Sequence, residues 1–145
     1  MDKEHKIFLI GCFITVSVIA YLLNWNFDSM ADTATTLVSI AVGVYIAAAS
    51  ALLGSPYAKE LKQTTDKKRT SNTLLGTLLD YFRHAGKLGI TTVIVSCLYK
   101  IPATYNVPII IARIGSAVAY GIFFCNILFL WLVFVFLVNS IEKSV

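Results

Sequence analysis

The stretch ATTLVSIAVGVYIAAASALL, residues 34–53, contains no charged residue and decides the fold class. An α-helix rises 1.5 Å per residue, so about 20 such residues cross the ~30 Å hydrocarbon core of a bilayer. Lipid accepts such a stretch as a helix because every backbone group inside it is paired internally. The stretch therefore predicts a membrane-spanning helix.

Further apolar segments accompany this one in a chain of 145 residues. Hydrophobic residues make up 57% of the chain and charged residues 14%, whereas soluble domains carry roughly 25% charged residues. We therefore predict an all-α, polytopic membrane protein with four transmembrane helices, in which residues 1–145 form a single transmembrane domain. The predicted spans lie at about 7–24, 34–54, 80–100 and 109–138, and a basic loop occupies 55–73.

The first apolar segment also has features of a cleaved signal peptide, since Lys3 and Lys6 precede it. However, Asn24, Trp25 and Asn26 follow it in place of a small-x-small cleavage site. An aromatic residue flanked by amides is typical of the membrane–water interface. We expect the first helix to be retained.

Lysine and arginine are enriched in the cytoplasmic loops of membrane proteins, and this bias orients the helices. With four spans, ten of the twelve Lys and Arg lie on one side, and only Lys100 and Arg113 lie on the other. The first external loop carries Asp28 and Asp32 instead. The charge distribution therefore predicts that both termini are cytoplasmic.

Small residues recur every four positions in two of the predicted helices. In the second they are Gly43, Ala47 and Ala51, and in the fourth they are Gly115 and Ala119. Small residues at this spacing let two helix backbones approach closely. For the second helix the preferred interpretation is packing within one subunit, and the alternative is a subunit interface or the lining of a narrow pore. The fourth helix is expected to supply further close-packing surface.

Charged side chains interrupt the third span. Asp80 shares a helix face with Arg83 and His84 at spacings of three and four residues, and Lys87 follows. Ionisable groups within a span usually face the bundle interior or an aqueous cavity. These residues are candidates for lining an inner pore or vestibule. Arg113 is expected to extend toward the outer membrane surface, and the alternative is a position at an external pore mouth. Alternatively, the segment 74–87 is an amphipathic extension whose charges are solvated in the cytoplasm.

The fourth span is expected to begin at or just after Pro108, because proline breaks the preceding helix. Its last part, FFCNILFLWLVFVFLV, is apolar all round except for Asn126. We expect this part to face lipid.

The basic loop follows Gly54-Ser55-Pro56, a sequence that commonly ends a helix, and its Lys-Glu-x-x-Lys pattern is compatible with a further short helix. One interpretation is a topology signal beside anionic lipid, and the other is a docking surface for a cytoplasmic protein. The pattern is too weak for specific nucleic-acid binding. The lipid or partner contacts would be made by Lys59, Lys62, Lys67, Lys68 and Arg69.

Catalytic and cofactor-binding motifs are missing from the sequence. It contains two histidines, no phosphate-binding glycine loop and no Gly-x-Ser-x-Gly elbow. The three cysteines are widely separated, which favours packing roles over metal or redox chemistry. We therefore expect no enzyme activity, no cofactor and no metal site.

The segment TLVSIAVGVYIAAASALLGSPYAKELKQ runs from a small-residue second helix through Gly-Ser into a Lys-rich stretch. With four spans and cytoplasmic termini, this layout resembles that of the Rex exclusion membrane proteins of temperate phages. The four-span layout is also similar to that of small membrane subunits of bacterial antiphage systems such as Kiwa. The resemblance covers the whole chain as architecture and contains no diagnostic motif. It implies a homo-oligomer in the bacterial inner (plasma) membrane that senses infection or depolarises the cell.

Two classes of function follow from these observations. The leading hypothesis is an oligomeric inner-membrane effector of phage defence or exclusion that acts as an ion channel or perturbs the membrane. The alternative is a non-conducting anchor, sensor or immunity protein that docks a cytoplasmic partner through its basic loop. A small-molecule transporter is disfavoured, because no deeply buried acidic residue is available for proton coupling.

Overall fold

A computed structural model describes residues 3–55, 57–64, 73–101 and 108–142 of the chain. Within these ranges the protein is all-α, as predicted, and has five helices. They are α1 (Lys3–Leu22), α2 (Asp28–Leu53), α3 (Tyr57–Gln63), α4 (Leu74–Lys100) and α5 (Ile109–Glu142).

Among the described helices, α1, α2 and α5 are long and apolar enough to cross a membrane. The stretches concerned are His5–Leu22, Asp28–Leu53 and Ile109–Val135. The charged residues of α4 lower its apolar character, so it does not join this group. Three candidate spans are therefore established by length and composition, and the fourth stays a prediction.

Local signals in the sequence explain three of the helix ends. α2 ends at Leu53, just before Gly54, and α5 begins directly after Pro108, as predicted. The side chain of Thr73 caps α4 by accepting a hydrogen bond of 3.2 Å from the backbone N–H of Gly76. The short helix α3 confirms the helical pattern in the basic loop.

The four long helices run alternately up and down. α1 packs against α5, α2 packs against α4, and α4 also packs against α5. Phe27, at the start of α2, contacts Tyr99 near the end of α4, while Arg113 near the start of α5 contacts Tyr21 near the end of α1. We call the end of the bundle where α1 and α4 begin the basal end, and the opposite end the apical end.

Two apolar clusters fill the bundle. The basal cluster contains Leu9, Tyr45, Leu78 and Phe129, and the apical cluster contains Ala20, Phe27, Val38, Tyr120 and Phe123. Between them lies a buried polar pair, in which Asn126 donates a hydrogen bond of 2.9 Å to the hydroxyl of Thr92.

The expectation that the last part of the fourth span faces lipid is wrong for one face of α5. Phe123, Asn126, Phe129 and Val133 are buried, whereas Trp131 on another face is 63% exposed. The physical reason is that α5 packs against α1, α2 and α4. Because a membrane protein's core and its lipid face are both apolar, an all-round apolar sequence does not reveal which face is buried.

Candidate functional site

The charged stripe predicted on α4 forms as a local structure. The Arg83 guanidinium lies 3.8 Å from the Asp80 carboxylate, and the His84 ring N–H (Nδ1) donates to the Asp80 carbonyl oxygen at 2.7 Å. Helical spacings of three and four residues produce both contacts. The structure therefore brings Asp80, Arg83 and His84 together, while their role in a vestibule stays a prediction.

The stripe lies on the outside of the bundle. Arg83, His84 and Lys87 are exposed and Asp80 is half-buried. Across the described residues, the centre of the bundle is instead occupied by the two apolar clusters and the Asn126–Thr92 pair. The described part of a single chain therefore offers these charges no path through its own centre.

Part of the stripe borders an open groove of about 500 Å³ between α1 and α4, with α5 as its floor. We call it the α1–α4 groove. A volume of this size is in the range of sites that hold small molecules. The groove is lined by Lys6, Leu9, Ile10, Phe13, His84, Lys87, Leu88, Thr91, Ile122, Cys125 and Phe129.

The two walls of the groove meet at the basal end of the bundle. The His5 ring is hydrogen-bonded to the Tyr81 hydroxyl, and the rings of these residues also form an edge-to-face contact with centroids 5.9 Å apart. This contact joins α1 to α4 next to Lys6 and His84. Beyond it the groove opens toward the apical end.

Arg113 lies near the opposite end of the bundle from the stripe. Its guanidinium lies 5.3 Å above the Tyr21 ring and donates a hydrogen bond of 3.4 Å to the Tyr21 carbonyl oxygen. The stabilising contact is a cation–π interaction that joins the start of α5 to the end of α1. The predicted pore residues therefore form two separate groups, and Arg113 does not join the others.

The predicted packing residues also divide into two groups. Ala119 is buried and Gly115 is half-buried, and a Cβ atom on Gly115 would lie 2.7 Å from the Tyr99 hydroxyl. Gly43, Ala47 and Ala51 are exposed, and a Cβ atom on Gly43 would meet no heavy atom within 4 Å. The preferred interpretation of packing within one subunit is therefore wrong for these three residues. The reason is that α2 uses a different face, containing Ala34, Val38 and Tyr45, to pack on its neighbours.

Two of the predicted lipid or partner contacts lie on α3. Lys59 and Lys62 are exposed, whereas Ala58 and Leu61 are buried. Because α3 packs against α4 and α2, its apolar face is covered and its lysines point away from the bundle. Lys67, Lys68 and Arg69 lie outside the described residues.

Sequence reasoning missed two features of the structure. Lys100 forms ion pairs with Asp32 at 3.0 Å and with Asp28 at 3.8 Å, which join the end of α4 to the start of α2. The spacing of four residues between the aspartates was the available signal, because it places both on one helix face. The second missed feature is the position of Lys6 across the α1–α4 groove from Lys87. In the sequence Lys6 served only to predict the orientation of the helices, and no spacing relates it to Lys87.

Comparisons with protein-family models, curated proteins and solved structures find no match for this chain.

Proposed function

We propose that the chain is a non-enzymatic protein of the bacterial inner membrane that crosses the bilayer four times and self-associates through α2. In the assembled state it conducts ions or perturbs the membrane. The observation that carries the proposal is the exposed face of small residues on α2, Gly43, Ala47 and Ala51, which no other part of the described chain covers. Small residues on a helix in lipid are the usual means of close helix–helix association.

The packing of α4 supports the fourth crossing. α4 lies along α2 and α5, and both of these helices are candidate spans, which supports the same membrane depth for α4. Its uncharged stretch between Lys87 and Lys100 covers about 18 Å at 1.5 Å per residue. The rest of the ~30 Å is within reach because lysine and arginine side chains extend to the membrane surface.

We also propose that the protein acts in phage defence or exclusion. This part of the proposal rests on the resemblance of its helix layout to that of phage-exclusion and antiphage membrane proteins. Cytoplasmic placement of the basal end rests on the excess of lysine and arginine there.

The oligomeric state of the full chain in lipid nanodiscs tests the proposal. Native mass spectrometry is expected to show a defined oligomer for the unaltered protein and a smaller species for Gly43→Leu, because the added side chain separates the two backbones. Gly11→Leu is the matched control, since Gly11 is also a helical glycine with open space around it. An oligomer of unchanged size in Gly43→Leu contradicts self-association through this face.

If the oligomer forms, potassium flux from liposomes tests conduction. We expect flux from the unaltered protein, a large reduction in Gly43→Leu and no reduction in Gly11→Leu. Vesicles that retain their potassium with the intact oligomer present would contradict conduction.

The second candidate function is a non-conducting protein that docks a cytoplasmic partner. The exposed Lys59 and Lys62 on α3 favour it, because the buried face of this helix holds them in a defined position. Purification from native membranes would then recover a monomer with a stoichiometric partner. The joint substitution of Lys59→Glu and Lys62→Glu would release that partner by charge repulsion.

A further inference from the structure

The geometry points to the α1–α4 groove as a binding site for one anionic phospholipid, and we propose this lipid as its occupant. The phosphate would lie between Lys6 and Lys87, and one acyl chain would run along the apolar part of the groove toward the apical end. This inference requires only that α1, α4 and α5 lie in a bilayer. It does not depend on self-association or conduction.

The charge of the groove is the first argument. Lys6 projects from α1 and Lys87 from α4, so two separate helices supply the ammonium groups, and His84 lies beside them. No acidic side chain lines the groove within the described chain, and neither lysine forms an ion pair with a described residue. Two lysines without an acidic partner in the groove attract the phosphate of an anionic lipid at the membrane surface.

The arrangement of polar and apolar surface is the second argument. Leu9, Ile10 and Phe13 follow Lys6 along one wall, and Leu88 follows Lys87 along the other. From Lys6 to Phe13 the wall extends about 10 Å along the helix axis at 1.5 Å per residue. Positive charge at one end and an apolar channel beyond it match a molecule with an anionic head and a hydrocarbon tail.

The opening of the groove is the third argument, and it favours a lipid over a folded protein domain. Ile10, on its wall, is 59% exposed, and its neighbours Ile7 and Ile14 continue the same apolar surface. On a candidate span such a surface faces the acyl chains of the bilayer. The site is therefore accessible from within the membrane at the depth where a headgroup meets its chains.

Lipid retention by the full-length protein tests the charged end of the site. The protein is reconstituted in nanodiscs of equimolar phosphatidylglycerol and phosphatidylcholine. Native mass spectrometry then measures which lipid stays bound after the protein is gently released from the disc. We expect the unaltered protein to retain phosphatidylglycerol preferentially. The joint substitution Lys6→Gln and Lys87→Gln should lower that preference by roughly tenfold, since each lysine near the surface attracts anionic lipid appreciably.

The matched control replaces Lys59 and Lys62 on α3 by glutamine, which removes the same charge at the basal end of the bundle but outside the groove. We expect this control to retain the lipid preference. An equal loss in both double variants would indicate attraction to the basal surface in general and would overturn a specific site.

A second pair of variants tests the apolar end without altering charge. Thr91→Trp places a large side chain in the groove. The control is Thr15→Trp, which places the same side chain on the exposed face of α1. The two threonines are matched because each donates a hydrogen bond to the carbonyl oxygen four residues earlier. We expect lipid retention to fall in the Thr91 variant alone. Unchanged lipid retention in the Thr91 variant overturns the proposal. So does a lipid-free dimer of the unaltered protein that becomes monomeric in the Thr91 variant, because a second copy of the chain would then be the occupant of the groove.

Discussion

Individual glycines determine how closely the helices approach one another. A Cβ atom on Gly89 of α4 would clash with the Val42 side chain of α2 and would lie 3.7 Å from the amide of Asn126. Valine is branched at Cβ and has few alternative rotamers, so it cannot easily move aside. Gly89 therefore holds α2 and α4 close together beside the buried Asn126–Thr92 pair.

Substitution of Gly89 by alanine is expected to destabilise the bundle. Overpacking of a tight core typically costs about 1–3 kcal/mol in the free energy of unfolding. Unfolding in mixed detergent micelles would measure this loss. Gly43→Ala is the control, because a Cβ atom there meets open space and alanine favours the helix. Equal stability of the two variants would show that the Gly89 contact relaxes without cost.

At the scale of the helices, α1 is the least integrated of the four long ones. Among the described residues its backbone packs against α5 alone. The close approach occurs at Gly121, where a Cβ atom would lie 2.8 Å from the Phe13 ring and would clash with the Ser17 hydroxyl. Side-chain contacts to Arg113 and Tyr81 support this packing near the two ends of α1. α1 is therefore the wall of the groove that we expect to separate most readily from the rest of the bundle.

Gly121→Val is expected to loosen α1 while the rest of the bundle persists, because the added methyl groups push α1 away from α5. Amide hydrogen exchange in nanodiscs should increase along α1 and stay nearly constant in α4. Gly11→Val provides the comparison, since Gly11 lies on α1 in open space. A uniform increase in all helices of the Gly121 variant would mean that α1 unfolds together with the whole molecule.

At the scale of the whole molecule, the number of crossings depends on α4. Its charges lie toward the basal end, and its buried Gly89, Thr92 and Ser96 pack in the interior. At the apical end Lys100 is paired with two aspartates of α2. These features are expected of a helix that crosses the membrane inside a bundle, where neighbouring helices cover its polar residues.

Single cysteines introduced into a cysteine-free variant decide between three and four crossings. A maleimide that cannot cross the membrane, added outside intact bacterial spheroplasts, is expected to label Asn26→Cys and Ile101→Cys but not Lys59→Cys. If the helices cross four times and the basal end is cytoplasmic, the linker after α1 and the end of α4 lie outside, and α3 lies inside. If α4 does not cross, Ile101→Cys is protected in the same way as Lys59→Cys.

The sequence alone determined the features that depend on local interactions. Two helix ends follow from single residues: Gly54 disfavours the helix because its backbone is unrestricted, and Pro108 because its ring fixes φ and removes a backbone donor. The Asp80–Arg83 contact follows from helical spacing, because residues three apart are neighbours on any helix. The all-α class follows from long apolar runs, since in a bilayer a helix pairs all of its own backbone groups.

Only the tertiary structure decided which face of each helix is buried. In water, burial divides apolar from polar residues, but in a bilayer the core and the lipid face are equally apolar. The sequence therefore could not show that Gly43 is exposed while Gly89 is enclosed, or that Phe129 faces inward. The α1–α4 groove needed the structure for a second reason, because Lys6 and Lys87 are far apart in the chain and line one groove only when α1 and α4 pack on either side of α5.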